Sequence, residues 1–371
     1  MQNNKPLKIV HITEAWLGGV GNYVKELIEY QASSGNFSGV HLIYSKNQSN
    51  IIEGEVPAIM HNYFSSRNPI KFLKIASNIK KIIAQIDPDI IHLHSTFPGV
   101  YGRIFKLYKQ DGTPISIVFC AHGWSFKQEV AWYKKSIYVM VEKFLAKRTD
   151  AIINISLHEH SIAHKYQVTG KSNYLIYTSV RNAKTSNKQP YNIDPNKINI
   201  GFIGRFSSAK GLDFLLSNFV KCQREDMAIY IIGVSTDELE SKYHLPNIHC
   251  LGWVDPKNID NYLKNLDIVA IPSKWEGFSL TALEAMRNSK ALLVSNRSSL
   301  PEVVVNGYNG YIFMLEDPDR FIDILRKLDK KNLGQFGQNS YQIYQQCFSG
   351  DKCYSEIDRL YWGLMDPPRE P

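Results

Sequence analysis

This chain lacks any apolar run long enough to cross a bilayer; no stretch approaches the roughly 18 apolar residues that a spanning helix requires. Its opening, MQNNKPLKIVHI, likewise has no apolar segment of signal-peptide length before strand-like residues begin. Cysteine is sparse. Cys120, Cys222, Cys250, Cys347 and Cys353 are odd in number and scattered, without metal-ligand spacing or a disulfide framework, so a reducing cytosol is expected. Internal repeats, low-complexity tracts and recognised nucleic-acid modules are missing too, which places nucleic acid last among partners. A dinucleotide-dependent oxidoreductase is disfavoured as well, because Gly18-Gly19-Val20-Gly21 does not have the G-x-G-x-x-G spacing.

What is present is the composition of a globular protein, 44% hydrophobic and 21% charged. At 371 residues the chain exceeds what one hydrophobic core supports, and two domains are expected. The net charge of +8 is uneven: residues 1–183 carry 21 Lys and Arg against 12 Asp and Glu, and the remainder is almost neutral. A basic half suits an anionic substrate or an anionic membrane surface.

Short β-rich runs alternate with longer amphipathic stretches, the pattern of βαβ units and a parallel sheet. Strands are expected at 8–13, 40–45, 90–94, 115–120, 151–155 and 174–177, with helices through about Ser33 and over 129–148. Residues 182–197 (NAKTSNKQPYNIDPNK) are polar, contain two prolines and have no apolar period, which is linker composition. The pattern then restarts, with strands at 199–203, 228–232, 248–251, 268–271 and 291–294. The expected organisation is a first Rossmann-like domain over 1–181, a linker, a second over 198–350, and a C-terminal helix within 351–371 packing back on the first. Ligands in such sheets sit beyond the carboxyl ends of strands, so loops of both halves are expected to face a central cleft.

Two segments carry chemistry. In IGFIGRFSSAKGLDFLL (200–216) a strand runs into Gly204, expected to permit a sharp exit, and a helix opens near Gly211. Between them Arg205 and Lys210 flank a small hydroxyl-rich loop. Free N–H groups and the helix dipole already favour anions there, and a guanidinium plus an ammonium suit a diphosphate. Taken alone, the loop reads equally well as a surface turn with two solvated cations. In PSKWEGFSLTALEAMRNSKALLVS (272–295) Glu276 lies in a loop and Glu284 eight positions on, in a helix starting near Ser279. That start puts Glu284 about 7–8 Å along the axis, leaning back toward the N-terminus. Two carboxylates suit sugar and ribose hydroxyls, and the amides of Gly277, Phe278 and Ser279 suit an oxygen at the helix start. For any single glutamate, a capped helix with a solvated side chain explains as much.

Together, EGFSLTALEAM and GRFSSAKG resemble the Glu–seven residues–Glu signature and the Arg/Lys phosphate loop of the retaining family 4 glycosyltransferases, which have the GT-B fold. Gly18-Gly19-Val20, DPDIIHLHS (87–95), AHGW (121–124), CLGWV (250–254) and PEVVVNGYNGYIF (301–313) extend the likeness over nearly the whole chain, with bacterial capsule, O-antigen and exopolysaccharide enzymes as its nearest look. The resemblance implies that Arg205 and Lys210 neutralise a donor pyrophosphate, Glu284 holds ribose hydroxyls, and Glu276 contacts donor-sugar hydroxyls. It also implies that the Gly252, Trp253 and Val254 backbone meets the nucleobase and that Gly18 and Gly19 let the first loop approach the diphosphate. His122 would face the donor sugar near its anomeric carbon. The donor would be a UDP- or GDP-sugar with no cofactor and no metal, and the acceptor a glycan or undecaprenyl-diphosphate-linked glycan. One departure is the turn Tyr177-Thr178-Ser179-Val180-Arg181, where the family often has an Asn-Gly-Val-Asp type turn.

Asp87-Pro88-Asp89 and Asp317-Pro318-Asp319 mimic metal-binding Asp-x-Asp motifs, but the first precedes a strand and the second starts a helix; both read as turn and cap residues. Segments 67–83 and 132–148 mix lysines with apolar and aromatic residues at helical spacing, which suits either an anionic membrane surface or core packing with a solvated outer face. The expected location is cytoplasmic, peripheral on the inner face of the plasma membrane. A GT-B sugar-nucleotide epimerase and an inactive nucleotide-sugar-binding subunit are the competing functions.

Overall fold

The structure is a computed structural model that describes residues 5–16, 18–48, 56–127, 131–181, 191–235 and 247–365. The chain divides into two compact units, residues 1–178 with 351–371, and residues 179–350.

The first unit is built on a seven-stranded, all-parallel sheet in the order β3-β2-β1-β4-β5-β6-β7. Its strands are β1 (Leu7–Thr13), β2 (Phe37–Ser45), β3 (Ile59–Tyr63), β4 (Ile90–His94), β5 (Ser116–Cys120), β6 (Ala151–Asn154) and β7 (Ser172–Leu175). The helices are α1 (Gly19–Ser33), α2 (Pro69–Ile86), α3 (Thr96–Arg103), α4 (Trp132–Ala146) and α5 (Leu157–Lys165). β1 and β4 are buried almost throughout because helices cover both faces of the sheet, which is why they read as continuous apolar runs. The chain winds outward through β2 and β3, then returns to place β4 on the other side of β1. Between β1 and β4 it reverses direction, and the loops beyond their carboxyl ends diverge there.

The second unit repeats the plan with six parallel strands in the order β10-β9-β8-β11-β12-β13. These are β8 (Ile198–Ile203), β9 (Met227–Ile232), β10 (Ile248–Cys250), β11 (Ile268–Ile271), β12 (Ala291–Ser295) and β13 (Gly310–Phe313). Helices α6 (Leu212–Cys222), α7 (Ile259–Leu263), α8 (Leu280–Arg287), α9 (Pro318–Lys327) and α10 (Lys330–Ile343) accompany them. Its core gathers Ile200, Phe202, Leu215, Ile229, Ile231, Leu293, Phe313 and Phe321, each essentially inaccessible to water; burying one such side chain contributes roughly 1.5–3 kcal/mol. The reversal in this sheet falls between β8 and β11.

The last helix, α11 (Gly350–Met365), joins the first unit through Tyr354 donating to Glu26 at 3.0 Å, Asn36 donating to Asp358 at 3.3 Å, and the Tyr361 hydroxyl 2.6 Å from His92 Nδ1.

Sequence periodicity does not signal β3 and β13. β3 is an exposed edge strand, IMHNY, with one fully buried residue, so no apolar run marks it. β13 has four residues entered from a turn. β7 starts two residues earlier than expected, and the long helix is Trp132–Ala146; residues 128–130 lie outside the described ones, as do 182–190 of the linker and 366–371 of the C-terminal segment. From Tyr191 onward the linker is not free: Tyr191 stacks on Tyr262 and donates to its carbonyl at 2.8 Å. The two Asp-Pro-Asp segments are structural. Asp89 accepts from the Lys8 amide and pairs with Lys109, and Asp317 caps α9 through the Arg320 amide.

Candidate functional site

Loops of the second unit's reversal point carry both chemical segments. After β8 comes 204–211, after β11 comes 272–279, and the two are adjacent because β8 and β11 pair directly. The Lys274 amide donates to the Ala209 carbonyl at 2.8 Å, fixing one loop on the other. Gly211, the residue before α6, has φ +70°, and a Cβ there would lie 2.1 Å from the Pro272 carbonyl oxygen. Only glycine permits this approach.

Gly204 corrects an expectation. A Cβ on it would meet Phe202 and Lys210 at ordinary contact distance, so the exit from β8 does not need glycine there. The tight position is Gly233, at φ +92°, where a Cβ would sit 2.9 Å from the Gly204 carbonyl oxygen.

Lys210 and Glu276 are brought into direct contact, with Nζ 2.6 Å from Oε1. Ser273 donates to the same oxygen at 2.8 Å, and the Ser273 carbonyl accepts from Ser295 at 2.6 Å. Glu276 is 8% exposed; a carboxylate so far from water needs such donors. The expectation gave these two side chains separate ligand atoms, a phosphate and a sugar. In the structure they satisfy each other, as opposite charges on adjacent loops do.

Arg205 is exposed at the start of its loop. Gly277, Phe278 and Ser279 are buried and lead into α8, whose cap is the Ser279 hydroxyl accepting from the Ala282 amide at 3.4 Å. Glu284 is half-buried in the second turn of α8. Gly252, at φ +70°, follows β10, and its carbonyl accepts from the Gly233 amide at 2.7 Å. Trp253 is 73% exposed and Val254 half-buried. The Trp275 indole N–H is buried and has no hydrogen-bond partner among the described residues.

The atypical turn at 177–181 is structural in its second half. Val180 bridges to Ser349 and accepts from the Tyr344 hydroxyl at 2.6 Å, while Arg287 donates to the Arg181 carbonyl and pairs with Asp260.

In the first unit Gly18 (φ +85°) and Gly19 open α1. The glycine of close approach there is Gly21, where a Cβ would overlap the Trp16 carbonyl. His122 follows β5 with φ +52°, a left-handed conformation that a β-carbon disfavours. Trp124 anchors that turn, its amide donating to Glu159 Oε2 at 2.9 Å and its indole to the Glu159 carbonyl.

Sequence reasoning missed the histidines behind His122. His11 on β1, His92 and His94 on β4 and His122 share one face of the sheet, and burial makes all four hard to protonate. The i, i+2 spacing in HLH was the available signal, since alternate strand residues share a face. Among the described residues, His11, His92 and His94 form the group of metal-ligating type, their candidate atoms within 4.8 Å of one another. His11 and His94 already hydrogen-bond each other at 3.0 Å.

Residues 17–183 match the family model described as Glycosyltransferase Family 4, and residues 183–343 the model described as Glycosyl transferases group 1. A Klebsiella pneumoniae protein described as an uncharacterized 41.2 kDa protein in the cps region is 29% identical over 86% of this chain and 89% of its own length. The Escherichia coli UDP-Gal:alpha-D-GlcNAc-diphosphoundecaprenol alpha-1,3-galactosyltransferase is 25% identical over 80% of this chain and 81% of its own. In architecture the chain is similar to Anabaena HepE, solved in complex with UDP and glucose, with a TM-score of 0.78, 16% identity, and coverage of 95% of this chain and 99% of that one.

Proposed function

The chain is a glycosyltransferase of the GT-B fold, a family 4 domain followed by a group 1 domain, and from that premise we propose what it transfers and how. The donor is a UDP- or GDP-sugar. The acceptor is a hydroxyl of a saccharide or undecaprenyl-diphosphate-linked saccharide, in the assembly of a surface polysaccharide. The anomeric configuration is retained. The carrying observation is the Lys210–Glu276 pair across the reversal point of the second sheet: a cation for a phosphate and a carboxylate for hydroxyls, held on two rigidly joined loops. The similar proteins lend support, one described by a UDP-galactose donor and a diphosphoundecaprenol acceptor, another solved with UDP and glucose.

In the reaction the acceptor oxygen bonds to the anomeric carbon on the face from which the phosphate leaves. The bond from that carbon to the β-phosphate oxygen breaks, and the acceptor proton passes to the departing diphosphate. Arg205 and Lys210 meet the charge growing on that leaving group, the task a divalent ion performs elsewhere. Glu276 as covalent nucleophile is the less favoured route, because Lys210 and Ser273 both bind Oε1 and stabilise the unreacted carboxylate. Glu284 holds the ribose, the Gly252–Val254 backbone the base, and the Gly277–Ser279 amides an oxygen of sugar or phosphate. Gly18 and Gly19 admit the diphosphate to the first loop, and His122 contacts the donor sugar.

The test is incubation with labelled UDP- and GDP-sugars, with and without a lipid-linked acceptor. Acceptor-dependent nucleotide release, with the donor's anomeric configuration kept in the product, is expected. Conversion of donor without acceptor would identify an epimerase, and binding without turnover an inactive subunit. Glu284→Ala is expected to raise the donor KM roughly 10- to 100-fold while kcat changes little, the effect of losing a charged hydrogen-bond acceptor.

No described helix is long and apolar enough to cross a membrane, and peripheral attachment to the inner face of the plasma membrane is part of the proposal. The inner side of α4 is set by Glu142, which pairs with the buried Arg103 at 2.8 Å, and by Leu145 and Ala146. Tyr133, Ile137, Met140 and Phe144 therefore form an outward apolar stripe at i, i+4, i+7 and i+11, with Trp132 80% exposed at its start. Lys134 on the same helix and Lys147 at its C-terminal cap are exposed. An apolar stripe among lysines suits an anionic lipid surface. Sedimentation with anionic vesicles at low salt is expected, weakened by Met140→Asp; absence of wild-type binding would end this part of the proposal.

A further inference from the structure

The histidines behind His122 form a directed chain. Gln31, on α1, places Oε1 2.7 Å from His11 Nε2. His11 Nδ1 lies 3.0 Å from His94 Nε2, and His94 Nδ1 lies 3.0 Å from His122 Nε2. Every ring nitrogen inside the chain is engaged. Burial lowers His11 to about 4 against the opposing pull of Gln31, His122 to about 3, and His94 well below its usual value, so all three are neutral near pH 7.

A neutral imidazole has one N–H and one lone pair, so neutral rings joined in series must be hydrogen-bonded head to tail. The amide oxygen of Gln31 can only accept, so His11 donates from Nε2 and accepts at Nδ1. His94 then donates from Nε2 and accepts at Nδ1, and His122 donates from Nε2. Each bond follows from the one before, and His122 is left with its lone pair on Nδ1. The polarity of the whole chain therefore depends on one amide. Among the described residues Gln31 Nε2 completes no close hydrogen bond, and the group it interacts with is the Tyr361 hydroxyl, so that end of the amide makes no demand on the histidine chain. With the amide reversed, every proton in the chain would shift and His122 would carry N–H at Nδ1.

We propose that Gln31, acting through His11 and His94, fixes His122 in the Nε2–H tautomer, so that His122 presents a hydrogen-bond acceptor to the donor sugar. Gln31, His11 and His94 are then positioning residues. The catalytic consequence rests on the reading of His122 as a sugar contact; the tautomer does not. An acceptor nitrogen selects a sugar position bearing a hydroxyl, which can donate, over one bearing a carboxylate, which cannot.

The left-handed backbone at His122 agrees with this picture. Its strain is held by its neighbours, with Trp124 locked on Glu159 and the His122 ring edge-on to Tyr23 at 4.8 Å. A ring fixed on one side by a hydrogen bond and on another by an aromatic edge keeps its free nitrogen in a constant direction.

The test uses the full chain with 15N-labelled histidine, whose ring shifts distinguish the two tautomers. Wild-type His122 is expected as Nε2–H, and an Nδ1–H form would overturn the proposal without any variant. Gln31→Met keeps the size of the side chain and removes the acceptor. It is expected to give mixed tautomers at His122 and to lower kcat roughly tenfold or more, with UDP affinity unchanged. An unchanged tautomer and rate in Gln31→Met would overturn the proposal, as would one equivalent of metal by elemental analysis, since a metal on His11 and His94 would take the lone pairs the chain needs. Full transfer by His122→Ala would refute the sugar contact and with it the effect on rate, whereas the tautomer measurement would still decide the chain itself.

Discussion

Lys210→Ala is expected to lower kcat by about 10²–10³-fold, the usual cost of removing one preorganised donor from a site where charge develops. Arg205→Ala should act in the same direction. The two differ in what else they disturb. Lys210 also compensates Glu276, which is 8% exposed, so its removal leaves a carboxylate supported by Ser273. Some loss of stability and a change in sugar affinity should therefore accompany Lys210→Ala. Arg205 is exposed, and its removal should reduce turnover with little change in thermal stability. Steady-state kinetics on the acceptor-dependent reaction, with melting curves for each variant, separate these effects. Turnover near wild type in both variants would refute the phosphate role of the loop.

Lys210→Met carries the argument further. If Lys210 served only to neutralise Glu276, adding Lys210→Met to Glu276→Gln should cost nothing beyond Glu276→Gln alone, because the charge it compensates is already gone. If it acts on the leaving diphosphate, the double variant should be much slower than Glu276→Gln alone. The second outcome is expected, because loss of the carboxylate does not replace the cation the departing phosphate requires.

The second large effect is structural and comes from Gly211→Ala. The residue sits at φ +70°, and its new Cβ would lie 2.1 Å from the Pro272 carbonyl oxygen. Left-handed backbone for a non-glycine residue costs of order 1–3 kcal/mol, and forcing the loops apart adds a comparable amount. A total near 3 kcal/mol corresponds to a fall in Tm of roughly 6–12 °C for a unit of this size. Because the clash separates the two loops that place Lys210 and Glu276, nucleotide affinity should fall as well. Gly307→Ala is the matched control, with φ +78° and open space around the Cβ position; it should show the backbone cost alone. Equal destabilisation by the two variants would mean that the contact with Pro272 is unimportant.

Much of this could be read in the sequence. β1, β4, β11 and β12 are central strands covered on both sides, so their apolar runs were visible. The β3 edge was not, since an exposed strand carries a mixed pattern. The strand–loop–helix placement of Arg205, Lys210, Glu276 and Glu284 was legible because their segments follow β8 and β11 and precede helices at short spacing. Which glycines are indispensable was less legible. Gly204 looked important and is not sterically required, whereas Gly21, Gly211 and Gly233 face carbonyls contributed by other segments.

The sequence alone therefore determined the alternation of strands and helices, the two-part organisation, and the residue types in the loops after β8 and β11, because periodicity and turn chemistry act over a few neighbouring residues. Only the tertiary structure decided that Lys210 and Glu276 meet, since β8 and β11 are made neighbours by a chain reversal and not by sequence. It alone decided that Gln31, His11, His94 and His122 form one chain of hydrogen bonds, with consecutive members up to 83 positions apart in sequence. Hydrogen bonds are short-ranged and directional, and no pattern along the chain reports which distant rings a parallel sheet will set 3.0 Å apart.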